Sequence, residues 1–296
     1  MAPIRRVAPA KINLNLHVLG RMANGYHALE SLVVFAEFGD GLAVREAPSL
    51  TLAMNGEFAD AAGGGQENLV LKAARALQQR AGLTRGAAFT LSKHIPVGAG
   101  LGGGSADAAA ALRALNQLWE LNWPREALHP IARELGADVA MCLASTPAIA
   151  RGVGDELAPL GPLPPCHVVL VHPRVLLLTE DVYRNINYNL LSNNNNDNLN
   201  YHTIQNSFAE MVSLLQQTRN DLQPAAIAVS ASVAEVLLAL ETVLPAPSIV
   251  RMTGSGACCF GLYAEAADAD KASRALKSAY PDWWVQYTQL QSGGAT

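Results

Sequence analysis

Between residues 96 and 107 the chain reads Pro-Val-Gly-Ala-Gly-Leu-Gly-Gly-Gly-Ser-Ala-Asp, and five of the seven residues from Gly98 to Gly104 are glycine. Glycines without a Cβ let backbone N–H groups come close to a phosphate. A helix beginning directly after the run adds unpaired N–H donors and a partial positive charge. The stretch therefore predicts an anion cradle between a strand and a helix. A tight turn that binds nothing would gain no return for the backbone entropy that so many glycines lose on folding. Three known cradles are separable by their surroundings. Gly98-x-Gly100-x-x-Gly103 matches the dinucleotide fingerprint formally, but that unit needs a parallel strand after the helix, and here Trp123-Pro124 and a second helical stretch follow. A Walker A loop needs Lys before Ser/Thr, and Gly104 holds that place before Ser105. The downstream signatures of a protein kinase are missing.

The flanking pattern supports this placement. Ala88–Ile95 alternates, with Phe89, Leu91 and Lys93 against Thr90, Ser92 and His94, which predicts a strand. An Ala-rich helix is expected from Ser105 to about Leu118, and another over Arg125–Leu135 ending at Gly136. Upstream, Ile12, Leu14, Leu16 and Val18 alternate with Lys11, Asn13, Asn15 and His17, the pattern of a half-buried strand. Asn24-Gly25 signals a turn, and a second strand is expected through Leu32–Phe38. Asn68 is placed to cap a helix running to Ala81, with Gly82 after its end. Pro159-Leu160-Gly161-Pro162-Leu163-Pro164-Pro165 holds four prolines in seven residues and continues neither helix nor central strand. It predicts a boundary between an N-terminal domain, 1–160, and a C-terminal domain, 166–292. In the second domain, strands are expected at Val168–Val171, Ile249–Met252, Cys258–Tyr263 and Trp284–Leu290. Helices are expected at Phe208–Gln217, Ser232–Leu244 and Ala266–Ala279, an α+β arrangement. Nine of the sixteen residues from Asn185 to Asn200 are Asn, a polar tract that reads as a surface loop without a function of its own.

Composition narrows the partner. The net charge is −4 with both signs dispersed, and no basic run tracks a nucleic-acid backbone. No apolar run approaches the ~18 residues of a membrane helix, and no apolar region follows Arg5-Arg6 as in a signal peptide. The expectation is a cytoplasmic protein with a small-molecule partner, no nucleic acid and no membrane. Cys142, Cys166, Cys258 and Cys259 form no CxxC pair, and the histidines show no HExxH spacing, so reduced thiols and no protein-held transition metal are expected.

Pro96, Gly100, Leu101, Gly102, Ser105 and Ala106 resemble the nucleotide motif of the GHMP kinases, Pro-x-x-x-Gly-Leu-Gly-Ser-Ser-Ala, with one extra glycine. That variant resembles in particular the branch acting on 4-diphosphocytidyl-2-C-methylerythritol (CDP-methylerythritol). Two further motifs of that branch are similar here: Pro9-Ala10-Lys11-Ile12-Asn13-Leu14-Asn15 followed by Asn24-Gly25-Tyr26-His27, and Thr253-Gly254-Ser255-Gly256-Ala257. Gly136-Ala137-Asp138-Val139 resembles the family's aspartate element, although the family continues with Pro where this chain has Ala140. Arg151–Asp155 and Arg219–Leu222 resemble family elements more softly.

The resemblance implies a two-domain α+β fold, with an N-terminal α/β domain of a ribosomal-protein type and a ferredoxin-like C-terminal domain. It implies ATP-dependent transfer to the 2-hydroxyl of CDP-methylerythritol, a step of mevalonate-independent isoprenoid synthesis. It implies Lys11 and Asp138 as catalytic residues. Asp138 either accepts the hydroxyl proton or positions Lys11. ATP would be held by Pro96, Val97, Gly98, Ala99, Gly100, Leu101, Gly102, Gly103, Gly104, Ser105 and Ala106, with Lys93, Asn68 and Leu69 toward the adenosine. Mg2+ would bridge the phosphates, no metal being held by protein alone, with Ser105 a contact for it or for the phosphates. Asn13, Tyr26, His27, Thr179 and Tyr183 would hold the substrate, and Thr253, Gly254, Ser255 and Gly256 would complete the phosphate site. A monomer or weak homodimer is expected. The alternatives are another GHMP kinase acting on homoserine, mevalonate or a sugar, and a non-catalytic nucleotide-binding homologue.

Overall fold

Alternation at the N-terminus produces strand β1 (Ile4–Asn13), a break at Leu14 and Asn15, and strand β2 (His17–Arg21). The pattern promised one dry face and one wet face, but both are buried: Lys11, Asn13, Asn15 and His17 are 0–5% exposed. Such a set of buried polar groups requires internal partners. β3 (His27–Ala47) is far longer than the expected Leu32–Phe38. The chain is described here by a computed structural model covering residues 2–23, 25–188, 191 and 199–293. The turn at Asn24-Gly25 loses its first residue from that set, and so does much of the Asn-rich tract.

Further elements follow in chain order. They are β4 (Thr51–Asn55), α1 (Ala59–Ala62), α2 (Leu69–Ala81), β5 (Gly86–Ser92), α3 (Gly103–Leu118), α4 (Arg125–Leu135), α5 (Ala137–Ala144), β6 (Ala148–Arg151) and β7 (Glu156–Pro159). Then come β8 (His167–His172), α6 (Thr179–Arg184), a 3-10 turn at Tyr201–Gln205, α7 (Phe208–Gln216), α8 (Gln223–Val229), α9 (Ser232–Thr242), β9 (Ile249–Met252), β10 (Cys259–Tyr263), α10 (Ala266–Ala279) and β11 (Trp284–Gln289). By contacts the chain falls into two compact units, each discontinuous in sequence. The first holds Met1–Lys11, Phe38–Val97 and Gly102–Ser145; the second holds Ile12–Glu37, Gly98–Leu101 and Thr146–Thr296.

In the first unit β5 pairs antiparallel with the later half of β3 and parallel with β4. Gly39 of β3 lies so close to β1 that a Cβ there would stand 2.2 Å from the Ala8 carbonyl oxygen. The helices pack α2 on α3, α3 on α5 and α4 on α5. Small side chains let them approach: Ala106 and Ala108–Ala111 of α3 are all 0% exposed.

In the second unit the early half of β3 pairs with β2 and β6, and β6 with β7. A separate four-stranded sheet has the order β11-β8-β10-β9 with every pair antiparallel. In chain order that is 4-1-3-2 with helices between the first and second strands and between the third and fourth, the ferredoxin-like arrangement. Its core gathers Val169, Val171, Leu240, Met252, Cys259 and Leu276, and Leu16 and Val18 from the N-terminal stretch join it.

Candidate active site

β5 ends at Ser92, the next residues run into the glycine-rich stretch, and α3 starts at Gly103. The helix begins two residues earlier than the serine suggested. Its N-cap is Gly102, left-handed at φ 65°, and no side chain caps the first turn. The leading N–H groups of an α-helix have no partner within it. This end, with a 16-residue helix behind it, therefore has the donors and the dipole that phosphate oxygens require. Gly102 also makes room for Lys11, since a Cβ there would stand 3.3 Å from both Cβ and Cε of Lys11.

Lys11 is 7% exposed in its side chain, and its Nζ lies 3.7 Å from Oδ2 of Asp138, itself 47% exposed. Asp138 is the second residue of α5; it does not cap the helix, because Gly136 is the N-cap, at φ 152°. The family's proline position is occupied by Ala140, whose N–H donates to the Gly136 carbonyl at 3.3 Å, a bond proline could not make. The helix carrying Asp138 is therefore regular.

Two expected adenosine contacts have other duties. Lys93 is 2% exposed. Its ammonium donates to Asp40 Oδ2 and, at 2.7 Å, to Asp107 Oδ2. The strand alternation placed Lys93 on the same face as Phe89 and Leu91, and that face is the core. Burial pulls the Lys93 ammonium down, but Asp107 and Asp40 outweigh it and the net shift is upward. One cation shared by two carboxylates leaves a negative charge in excess. Asp107, with Oδ1 buried and unpartnered among the described residues, is pushed up to about 7 by burial, against the pull of Lys93. Asn68 caps α2: its Oδ1 accepts from Val70 N at 3.0 Å and its Nδ2 donates to the Gly63 carbonyl at 2.8 Å. Leu69 lies near Gly104, where a Cβ would stand 3.6 Å from its Cδ1.

In the second unit, Gly98–Leu101 meets the Thr253–Ala257 turn backbone to backbone. A Cβ on Gly100 (φ 75°) would stand 2.5 Å from the Thr253 carbonyl oxygen, and one on Gly254 (φ 57°) 2.9 Å from that of Gly100. Cys258 N donates to the Ala99 carbonyl at 3.3 Å. Asn220 Nδ2 donates to the carbonyls of Met252 and Gly254, each at 2.8 Å, and holds the turn from behind. Thr253 Oγ1 accepts from Asn13 N at 2.9 Å, and Ser255 Oγ bonds Thr179 Oγ1 at 2.9 Å. Thr179 is thus brought to the C-terminal glycine turn.

Asn13 Nδ2 donates to Ser31 Oγ at 2.7 Å, and Ser31 donates to the Asn15 carbonyl at 2.5 Å. Asn15 Nδ2 donates to Tyr201 Oη at 2.9 Å, and Tyr201 donates to Glu30 at 3.1 Å. His27 meets Tyr183 with ring centroids 4.8 Å apart and a 34° tilt. It also bonds Tyr188 Oη through Nε2 at 2.5 Å. Burial, then the Arg21 charge, lowers the His27 pKa, so its ring is neutral near pH 7. Tyr26, beside it, is 66% exposed. Tyr188, Tyr201, Ser31 and the Asp40–Asp107 pair were not singled out from sequence. Tyr188 sits inside the Asn-rich tract, and its aromatic ring among amides was the one available signal. Among the described residues no group of three or more His, Cys, Asp or Glu could hold a metal ion, and no helix is long and apolar enough to cross a membrane.

Two family models match in order: GHMP kinases N terminal domain over residues 68–146, and GHMP kinases C terminal over 203–282. A 4-diphosphocytidyl-2-C-methyl-D-erythritol kinase of Paramagnetospirillum magneticum is 46% identical over 300 residues, covering 96% of this chain and 98% of that protein. Its counterpart from Parvibaculum lavamentivorans is 43% identical over 284 residues, covering 96% and 97%. A crystal structure of 4-(cytidine 5'-diphospho)-2C-methyl-D-erythritol kinase superposes with a TM-score of 0.78 at 33% identity, covering 99% of this chain and 100% of that one. With likeness of this extent along the whole chain, it belongs to the GHMP kinases and has their two-domain fold.

Proposed function

We propose that this chain transfers the γ-phosphoryl group of ATP to the 2-hydroxyl of 4-diphosphocytidyl-2-C-methyl-D-erythritol, giving the 2-phosphate and ADP. The substrate follows from full-length relatives of that name. The chemistry rests on one observation, the Lys11–Asp138 pair at 3.7 Å, with the Lys11 stem against Gly102 at the start of α3.

Phosphoryl transfer requires alignment, charge neutralisation and removal of the acceptor proton. N–H groups of the glycine-rich stretch from Gly98 to Ser105 bind the ATP phosphates, Ala106 adding to the site by position since its N–H already donates to the Gly102 carbonyl at 2.9 Å. Mg2+ bound with the nucleotide would supply further charge neutralisation, and Ser105 would offer its hydroxyl to the phosphates or to the metal. Asp138 accepts the hydroxyl proton, and its partial exposure leaves it open to the acceptor. Lys11, paired with Asp138, offsets negative charge as the phosphoryl group moves. Asn13, Tyr26 and Thr179 contribute to the substrate side. The neutral His27 ring with Tyr183 and Tyr188 receives the cytosine, by stacking and by the amphipathic hydrogen bonding that such rings provide.

The test is substrate-dependent ADP release with Mg2+, comparing wild type and Asp138→Ala. A fall on the order of 100-fold or more, the scale of a lost general base, is expected. Full turnover in the variant would keep the kinase and discard the base. No turnover in folded wild type would redirect the search to the homoserine, mevalonate or sugar acceptors of the family.

A further inference from the structure

The buried Asp40–Lys93–Asp107 cluster lies at both ends of the glycine-rich stretch, yet takes no direct part in the chemistry just described. Asp40 comes from β3. Its Oδ2 accepts from Lys93, while Oδ1 accepts from the backbone N–H groups of His94 at 2.5 Å and Ile95 at 2.9 Å. Those residues open the stretch. Asp107, in the second turn of α3, closes it and is tied to the same ammonium at 2.7 Å. Residues 93 and 107 are therefore held together by one buried cation. Gly103 stands directly over the knot: a Cβ there would lie 3.1 Å from Ile95 Cγ2 and 3.4 Å from Lys93 Nζ. Of the titratable groups on other packed elements, the Cys142 thiol of α5 feels the Asp107 charge, and burial keeps that thiol neutral.

We propose that Asp40, Lys93 and Asp107 form a noncovalent clamp that closes the glycine-rich loop and presets the first turn of α3 for phosphate, with Lys93 and Asp107 as positioning residues. A loop so rich in glycine has little stiffness of its own. Its N–H donors would have to be ordered anew each time an anion bound, and that ordering subtracts from affinity. Fixing both ends on a buried ion cluster removes part of that cost before the ligand arrives. Had the cluster served only to fill the core, apolar residues of equal volume would serve as well or better. The inference rests on reading this loop as the nucleotide site.

The experiment pairs Asp107→Ala with Asp107→Asn in the full-length chain, the second keeping an oxygen that accepts from Lys93. Two readouts are taken: hydrogen exchange of the amides in 94–106 without ligand, and the KM values for ATP and for the cytidine substrate. In Asp107→Ala the loop amides should exchange at least 10-fold faster, and KM for ATP should rise on the order of 10-fold. KM for the cytidine substrate should stay within about 2-fold, and Asp107→Asn should restore most of the loss. Wild-type exchange in Asp107→Ala, or both KM values rising together, would overturn the clamp whatever the loop binds. Faster exchange in a chain whose wild type binds no ATP would place the failure in the nucleotide reading, and the positioning role would fall with it. If Asp107→Ala does not fold, the triple variant Asp40→Asn/Lys93→Met/Asp107→Leu, which leaves no member of the cluster charged and alone and keeps an oxygen at position 40 to accept from His94 and Ile95, is judged by the same outcomes.

Discussion

His172 lies at the end of β8 with 3% exposure; its Nδ1 accepts from Arg174 N at 3.1 Å, while Nε2 is buried and has no partner among the described residues. Burial, aided by the Arg174 charge, lowers its pKa from 6.5 to about 4. A folded-state pKa below the unfolded one means that the unfolded chain binds more protons in between. Stability therefore falls as pH drops from about 6.5 to about 4, by roughly 3 kcal/mol from this group. His172→Asn, whose Oδ1 can replace Nδ1 as acceptor, should flatten that slope in urea midpoints taken across pH 5 to 7. At this scale the sequence was legible where a motif fixed a side chain. Lys11 and Asp138 were paired through the motifs, and the structure puts them within 3.7 Å. For Lys93 the strand register, shared with Phe89 and Leu91, pointed to the core. The two buried carboxylates that make a lysine tolerable there lie 53 and 14 positions away.

Helix ends were read well where a cap carries the chemistry. Asn68 before α2 and left-handed Gly82 after it stand where their side-chain and backbone requirements placed them. Asn68→Ala should lower stability by about 1 kcal/mol, the usual value of such a cap, measured as a shifted urea midpoint. KM for ATP tests its second assignment, since a capping role alone leaves that value unchanged. Elements without such signals escaped notice. β6 and β7 are four residues each, and α5 follows α4 with only Gly136 between them. Strands so short carry too few alternations to register. The break after Asn13 was hidden because Ile12, Leu14, Leu16 and Val18 keep strict alternation through it. There single backbone bonds take the place of a strand ladder, Leu14 N donating to the Leu32 carbonyl and Leu16 N to that of Arg219.

At the scale of the molecule, element order gave the α+β class and the family resemblance implied the ferredoxin-like sheet, but neither gave the route of the chain. The proline-rich segment marks a sequence boundary, while the contacts of the second unit also enlist Ile12–Glu37. Leu16 and Val18 lie in its core, and Arg251 donates to the Leu14 carbonyl at 2.6 Å. A fragment 166–292 should therefore express as a poorly packed species, with weak near-ultraviolet dichroism and no cooperative melt. Supplying residues 12–37 in trans or by fusion should improve both signals. A cooperative, well-dispersed fragment would establish 166–292 as autonomous. Contacts between residues so distant in sequence leave no trace in local periodicity, which is why this division was not legible.

The meeting of the two glycine turns constrains how such a chain can change over time. Gly100 and Gly254 are 154 positions apart, yet a side chain on Gly254 would need the space of Gly100, and one on Gly100 the space of Thr253 and Gly256 in the same turn as Gly254. Enlarging one cannot be accommodated by shrinking the other, because both are already at the smallest size available. Substitution at either has no compensating partner short of moving a whole turn. In descendants that keep these turns in contact, both positions should therefore stay glycine, as a single inherited unit divided between distant parts of the gene.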